Sequence, residues 1–203
     1  MNVEVTRQLA DLSSRIRLVF LSTDLVFDGR KGNYVESDAV NPLNLYAETK
    51  VEAEKIVFGN PNHCIVRTTL NAGKSPTGDR SFAEHMRTAW QRGETLKLFT
   101  DEFRSPIGAD VTALAVWELA QCGLSGIFHV AGAERLNRLQ IGQLFAARWS
   151  NLRCGMNFAS LRDFPGPLRA ADCSLNCQKA QSALTFSLPR FSDWLRESRE
   201  LPL

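Results

Sequence analysis

Leu18-Val19-Phe20-Leu21-Ser22-Thr23-Asp24, followed by Tyr46-Ala47-Glu48-Thr49-Lys50, is the stretch that decides the fold. Residues 18–21 are a continuous apolar run without alternation, the pattern of a parallel strand covered on both faces. Asp28-Gly29-Arg30-Lys31-Gly32-Asn33 is polar and turn-rich, hence a loop. Asn44 predicts the cap of a helix over 45–58, and Gly59 with Pro61 predicts its stop. A second buried strand is expected at 64–67.

The pattern repeats on either side. Upstream, Val5, Leu9 and Leu12 form one stripe and predict a helix over 3–14. Residues 74–80 are polar and read as a flexible loop. Ser81 and Glu84 have capping-box spacing and open a helix with Phe82, Met86, Ala89 and Trp90 on its apolar face, closed by Gly93. Residues 96–99 read as a short strand. Asp110 is the expected cap of a helix with Leu114, Trp117 and Leu119 inside, closed by Gly123. A strand follows at 126–130. Asn137 and Gln140 repeat the capping box ahead of Ile141, Leu144 and Phe145. The tail 176–200 holds two short helical patterns broken at Pro189. Trp90, Trp117, Trp149 and Trp194 are expected in the core, and His129 reads as a satisfied core histidine. Strands alternating with helices predict an α/β fold with a mostly parallel sheet. In such sheets ligands sit outside the carboxyl ends of the strands.

Composition narrows the function. The 203 residues carry 24 Lys plus Arg against 22 Asp plus Glu, a net charge of +2, which gives no reason to expect a nucleic acid partner. No apolar run is long enough for a membrane helix, and the opening residues have no signal-peptide apolar core. Five scattered cysteines, with no Cys-x-x-Cys pair, point to reduced thiols in a cytoplasmic protein. His63, His85 and His129 stand apart, so no metal site is expected.

The chemistry lies in Thr23, Tyr46 and Lys50. A separation of four puts Tyr46 and Lys50 on one helical face. A free phenol has a pKa near 10, and a nearby ammonium favours the phenolate and lowers it. A hydroxyl such as Thr23 can polarise a reacting carbonyl. Together the three can deliver a proton while a cofactor delivers hydride.

These residues resemble the extended short-chain dehydrogenase/reductases. Residues 20–29, then Pro42 and Tyr46-x-x-x-Lys50, are similar to the dTDP-4-dehydrorhamnose reductase branch. Ile65-Val66-Arg67-Thr68 with Gly73, Arg104-Ser105-Pro106-Ile107, residues 126–132 and residues 166–175 continue the likeness. The resemblance implies the C-terminal part of a Rossmann-like, doubly wound parallel sheet with a small substrate-binding lobe. Residues 1–73 and 110–131 would form the sheet and catalytic segment, and 74–109 and 132–203 the lobe. It implies NADPH- or NADH-dependent reduction of a nucleotide-linked 4-keto sugar. Thr23 would hydrogen-bond the substrate carbonyl, and Tyr46 would be the general acid. Lys50 would lower the Tyr46 pKa and, with Tyr46 and Ser22, contact the cofactor. Asp24 would lie beside the sugar, Arg104 would meet a nucleotide phosphate, and Asn2 would help position Lys50 in a proton relay. A homodimer is a further partner arrangement left open.

Three departures matter. Leu25 and Leu70 stand where the family often has aromatics, which leaves the particular sugar nucleotide open. No Gly-x-Gly-x-x-Gly or Gly-x-x-Gly-x-x-Gly turn exists for a pyrophosphate. The cofactor site is therefore expected to be incomplete, the chain N-terminally truncated and inactive alone, and strand 18–21 an exposed apolar edge. Two alternatives stay open: a sugar-nucleotide epimerase or dehydratase, and a non-catalytic regulatory subunit similar to the methionine adenosyltransferase β-subunit. The Ser-Thr-Asp sequence favours the reductase over the first.

Overall fold

A computed structural model describes residues 2–13 and 16–198. Helix α1 (Asn2–Leu12) leads to strand β1 (Val19–Thr23), which ends in a 3-10 turn over Asp24–Val26. Helix α2 (Leu45–Phe58) is capped by Asn44, whose side chain accepts from the Ala47 amide at 2.9 Å. Strands β2 (Cys64–Thr68) and β3 (Asn71–Ala72) follow, then helix α3 (Phe82–Gln91) with both halves of the Ser81–Glu84 capping box formed. Next come β4 (Thr95–Phe99), β5 (Phe103–Arg104), β6 (Ile107–Gly108), α4 (Ala109–Gln121) and β7 (Gly126–Val130). The described chain closes with β8 (Leu136–Asn137), α5 (Arg138–Arg148), β9 (Gly155–Ala159), α6 (Gln178–Gln181) and α7 (Phe191–Glu197). Of the predicted first helix, Ser14 lies outside the described residues, as does Glu200 of the predicted tail.

The central sheet is parallel, in the order β1-β2-β7. Helix α2 packs on one face. The other is covered by α4 and residues 180–188, through Val66, Phe128, Ala115, Leu119, Ala180, Leu184 and Leu188. This two-sided cover makes the α/β sheet doubly wound, as expected. Residues 178–188 thus pack on the sheet, although the sequence division puts them in the lobe. A second core joins α3, α5 and α7 with the parallel pair β4-β9, around Trp90, Phe145, Trp149, Phe191 and Trp194. Gly142 lets α5 approach β4 closely, because a Cβ there would overlap the Leu98 side chain.

Four readings are corrected. Asp110 does not cap α4: the cap residue is Gly108, and the Asp110 carboxylate accepts from Trp194 Nε1 at 2.9 Å. Trp117 and Leu114 are more than half exposed, whereas the other three tryptophans are buried. The stripe Val5, Leu9, Leu12 is also exposed. Loop 74–80 is tied down, since the Glu84 carboxylate accepts from the amides of Ser75, Arg80 and Ser81.

The α2 face of the sheet carries charge inside. Arg67 and Glu54, each about 5% exposed or less, form a two-pronged pair with Nε to Oε1 at 3.0 Å and Nη2 to Oε2 at 2.7 Å. His129, fully buried, lies beside Arg67 in the sheet register, and burial pushes its imidazole down to about 4. Two outcomes follow. Glu54→Ala strands the Arg67 guanidinium and is expected to cost about 3–5 kcal/mol in urea unfolding; a change near zero contradicts the clamp. His129 is held neutral in the fold but protonates freely when unfolded. Its contribution is therefore full above pH 6.5 and lost as pH falls toward 4. The loss should amount to about 3 kcal/mol, read from urea unfolding alongside an NMR titration of the His129 ring. A ring midpoint near its ordinary value counts against it.

Candidate active site

The carboxyl end of β1 and the first turns of α2 meet at the open end of the sheet. Thr23 ends β1 in an extended conformation, and its Oγ1 accepts from the Leu25 amide at 3.2 Å, which starts the 3-10 turn. The same hydroxyl donates to Asp24 Oδ1 at 3.3 Å and lies beside the Tyr46 side chain. Tyr46 is half exposed. Burial of its ring side pushes the phenol above its ordinary value, Asp24 adds to this, and the Thr23 hydrogen bond opposes it. Lys50 does not lower it. Its Nζ turns to the strand, donating to Leu21 O at 2.7 Å with the ammonium 4.5 Å from the Phe20 ring centre. Burial depresses the Lys50 pKa, and Glu54 opposes the shift. The expectation that the ammonium depresses the phenol is therefore not met in this geometry, because Lys50 is engaged elsewhere.

Asp24 is 4% exposed and faces inward. Its Oδ2 accepts from Thr69 Oγ1 at 2.6 Å and from Arg104 Nη1 at 3.4 Å. Arg104 is itself buried and also reaches Glu102 at 3.6 Å. Glu102 has no exposed surface and takes two further guanidiniums, Arg138 at 2.7 Å and Arg169 at 2.8 Å. Burial pushes its carboxyl up, but the arginines outweigh that and hold it below the usual carboxylate range. Three guanidiniums against two carboxylates leave a positive surplus. Arg138 and Arg169 keep 20% and 38% of their side chains in solvent, and with Arg104 they line a cavity of about 230 Å³. Leu25, Asn44, Pro167 and Leu168 share that wall.

The sequence-predicted residues are thus partly gathered. Thr23, Asp24 and Tyr46 stand together, with Arg104 behind Asp24. Ser22 is buried in β1, and its Oγ has no hydrogen-bond partner among the described residues. Asn2 reaches α2, but at Thr49 Oγ1 (3.2 Å) rather than at Lys50; Thr49 in turn donates to Tyr46 O at 2.7 Å. Of the two positions that lack an aromatic, Leu25 lines the cavity, whereas Leu70 packs on the lobe core. Sequence reading missed Thr69, Glu102, Arg138 and Arg169. Only a surplus of arginines around 135–169 hinted at them, and it named no partner.

Comparisons with known proteins bear on the family and the fold. The RmlD substrate binding domain matches residues 1–200. The dTDP-4-dehydrorhamnose reductase of Sinorhizobium fredii is 27% identical over 199 residues, 92% of this chain and 65% of that protein. Methionine adenosyltransferase 2 subunit beta of Danio rerio is 29% identical over 148 residues, 70% of this chain and 46% of that protein. The structure of a Bacillus anthracis dTDP-4-dehydrorhamnose reductase in complex with NADP superposes with a TM-score of 0.85 at 22% identity, over 94% of this chain and 68% of that one. This likeness shows a shared Rossmann-like fold. The chain spans less than two thirds of the length of the two sequence relatives. It belongs to the RmlD substrate binding domain family.

Proposed function

We propose that residues 1–203 carry the catalytic and substrate side of an NAD(P)H-dependent reductase of a nucleotide-linked 4-keto sugar. The observation that carries this reading is the Tyr46 phenol beside the Thr23 hydroxyl at the open end of β1, with Lys50 one helical turn along. A phenol held above its ordinary pKa keeps its proton near neutrality, as a general acid must. In this reading Thr23 polarises the sugar carbonyl and Tyr46 gives its proton to the carbonyl oxygen. Lys50 then swings from Leu21 O to stabilise the phenolate. Asp24 stays behind Thr23 and fixes Arg104.

Tyr46 and Lys50 fit the nicotinamide-ribose end of a cofactor, since Lys50 is held at this end of the site by one exchangeable main-chain bond. Ser22 fits it poorly, being enclosed in the sheet. When bound, NADPH or NADH supplies the hydride. No glycine-rich turn is present for a pyrophosphate, so the chain's own share of that site is incomplete. The cavity lined by Arg104, Arg138 and Arg169 suits an anionic nucleotide, and residues 74–109 with 132–203 are read as the substrate lobe, less the segment that covers the sheet. Among the described residues no helix is long and apolar enough to cross a membrane. Together with five free cysteines, this supports a cytoplasmic setting. A regulatory-subunit reading is favoured by the missing glycine-rich turn and by the likeness to methionine adenosyltransferase 2 subunit beta. It predicts that Tyr46 is dispensable.

Three measurements test these statements. Replacing Arg138 and Arg169 with alanine should weaken dTDP-sugar binding, by calorimetry, at least about tenfold per lost charge-assisted bond. Unchanged binding contradicts the nucleotide cavity. Titration of NADPH into residues 1–203 should show no micromolar binding, and tight binding contradicts the incomplete cofactor site. In any form of the protein that turns over the keto sugar, Tyr46→Phe should lower kcat about 100- to 10,000-fold. Retained activity rejects Tyr46 as the acid and favours the regulatory reading.

A further inference from the structure

Three buried polar side-chain atoms in the central sheet have no hydrogen-bond partner among the described residues: Ser22 Oγ, Arg67 Nη1 and His129 Nε2. Their residues are 4%, 3% and 0% exposed. They are not scattered. Ser22 pairs with Arg67 across β1 and β2, and Arg67 pairs with His129 across β2 and β7. Register partners point to one side of a sheet, with strands about 4.8 Å apart. The Arg67 guanidinium and the His129 ring also share a neighbour, the Phe27 ring, at 5.2 Å and 5.7 Å from its centre.

The donor and acceptor roles are fixed by what surrounds them. His129 Nδ1 lies 3.0 Å from Tyr34 O, which can only accept, so Nδ1 carries the proton and Nε2 offers a lone pair. Arg67 Nη1 can only donate. The other guanidinium nitrogens, Nε and Nη2, are taken by Glu54. A donor and an acceptor thus lie on paired residues of neighbouring strands, on one face of the sheet and beside the same Phe27 ring, with no bond between them. The charges nearby argue against an ion between them. Glu54 already neutralises Arg67, and the Glu36 carboxylate accepts from the His129 amide at 3.0 Å. An anion would be a third negative charge against one positive. A cation would face the guanidinium. A neutral group that both accepts and donates meets the requirement, and few buried donors are left unpaired in folded proteins.

We propose that an internal water molecule binds between Arg67 Nη1 and His129 Nε2, accepting from the first and donating to the second, with Ser22 Oγ as the adjoining polar group on the side of Thr23. The site lies under α2 and joins the Glu54–Arg67 clamp to β7. It thereby links the helix that carries Tyr46 and Lys50 to the far edge of the sheet.

A high-resolution crystal structure of the chain tests the site directly. One water peak within about 2.7–3.2 Å of both Nη1 and Nε2 is expected. A direct Arg67–His129 bond, an ion, or a dry gap overturns the proposal. In solution, a nuclear Overhauser contact between the His129 ring and a long-lived water is expected in the native protein. It should persist for the ring in Ser22→Ala. His129→Phe should remove one long-lived water in water-relaxation dispersion, while His129→Gln, which keeps an acceptor, should retain it. If His129→Phe does not fold, the Gln variant and the native ring contact decide. Absence of any long-lived water near the native ring overturns the proposal.

Discussion

Glu102 is a carboxylate with no exposed surface, and the site depends on the charges gathered around it. Taking such a group out of water is costly unless cations and hydrogen bonds replace the lost hydration. Three guanidiniums do so, and each comes from a different place. Arg104 lies two residues on, Arg138 opens α5, and Arg169 lies in the extended stretch before α6. The Arg138 amide also donates to Glu102 O at 3.1 Å. One carboxylate therefore fixes the start of a lobe helix, the C-terminal stretch and, through Arg104 and Asp24, the end of β1. The arginines are held in place by Glu102, so those with exposed surface present a preorganised positive wall at little further ordering cost. The same arrangement explains why Asp24 faces inward: it is the second counter-charge of a cluster of cations.

Much of the fold was legible because its signals are local. Asn44, Ser81 with Glu84, and Asn137 with Gln140 each satisfy amides within one turn, and those helices begin where the residues say. The apolar runs at β1, β2 and β7 needed no partner to be recognised as strands, but the β1 run is only half-buried and does not have the cover on both faces that its pattern predicts. Asp110 misled for a physical reason. A carboxylate near a helix start can serve as a cap or as a tertiary acceptor, and here the Trp194 indole claims it. Strand β9 was missed because Gly155 and Asn157 weaken any strand preference, and its pairing with β4 is what makes it a strand. Thr23, Asp24 and Tyr46 could be placed together because strand, turn and helix are consecutive. The Glu102 cluster could not. Its partners stand 36 and 67 residues away, and no periodicity encodes such a pairing.

The two edges of the central sheet are treated differently. Along β7, side chains meet the main chain that no strand covers: Lys179 Nζ donates to Ile127 O at 2.6 Å, and Glu36 accepts from the His129 amide. Along β1, Leu21 is 47% exposed on one face, and on the other Val5 and Leu9 of α1 stand open beside Leu18 and Phe20 around a cavity of about 370 Å³. Exposed apolar side chains next to an uncovered strand edge are a liability in water. Among the described residues β1 lies at the sheet edge, and Lys50 guards it with an ammonium that covers the Leu21 carbonyl.

This gives Lys50 two competing positions, and magnitudes decide between them. A hydrogen bond from an ammonium to an amide carbonyl contributes about 1.5–3 kcal/mol net, and Lys50 is partly solvated at that point. The contact with the Phe20 ring adds about 0.5–1 kcal/mol at an exposed site. Against these stands the attraction of a phenolate for an ammonium, which exists only once Tyr46 has given up its proton. While Tyr46 is neutral, the carbonyl and ring win, and the phenol stays above its ordinary pKa. When negative charge develops on Tyr46, the balance moves toward a charge pair about one helical turn away, which at intermediate dielectric contributes about 3 kcal/mol. The terms are close in size. Under the proposed function, Lys50 would be an ammonium whose place follows the charge state of Tyr46, guarding the strand edge while the phenol is neutral and turning to it if negative charge develops there.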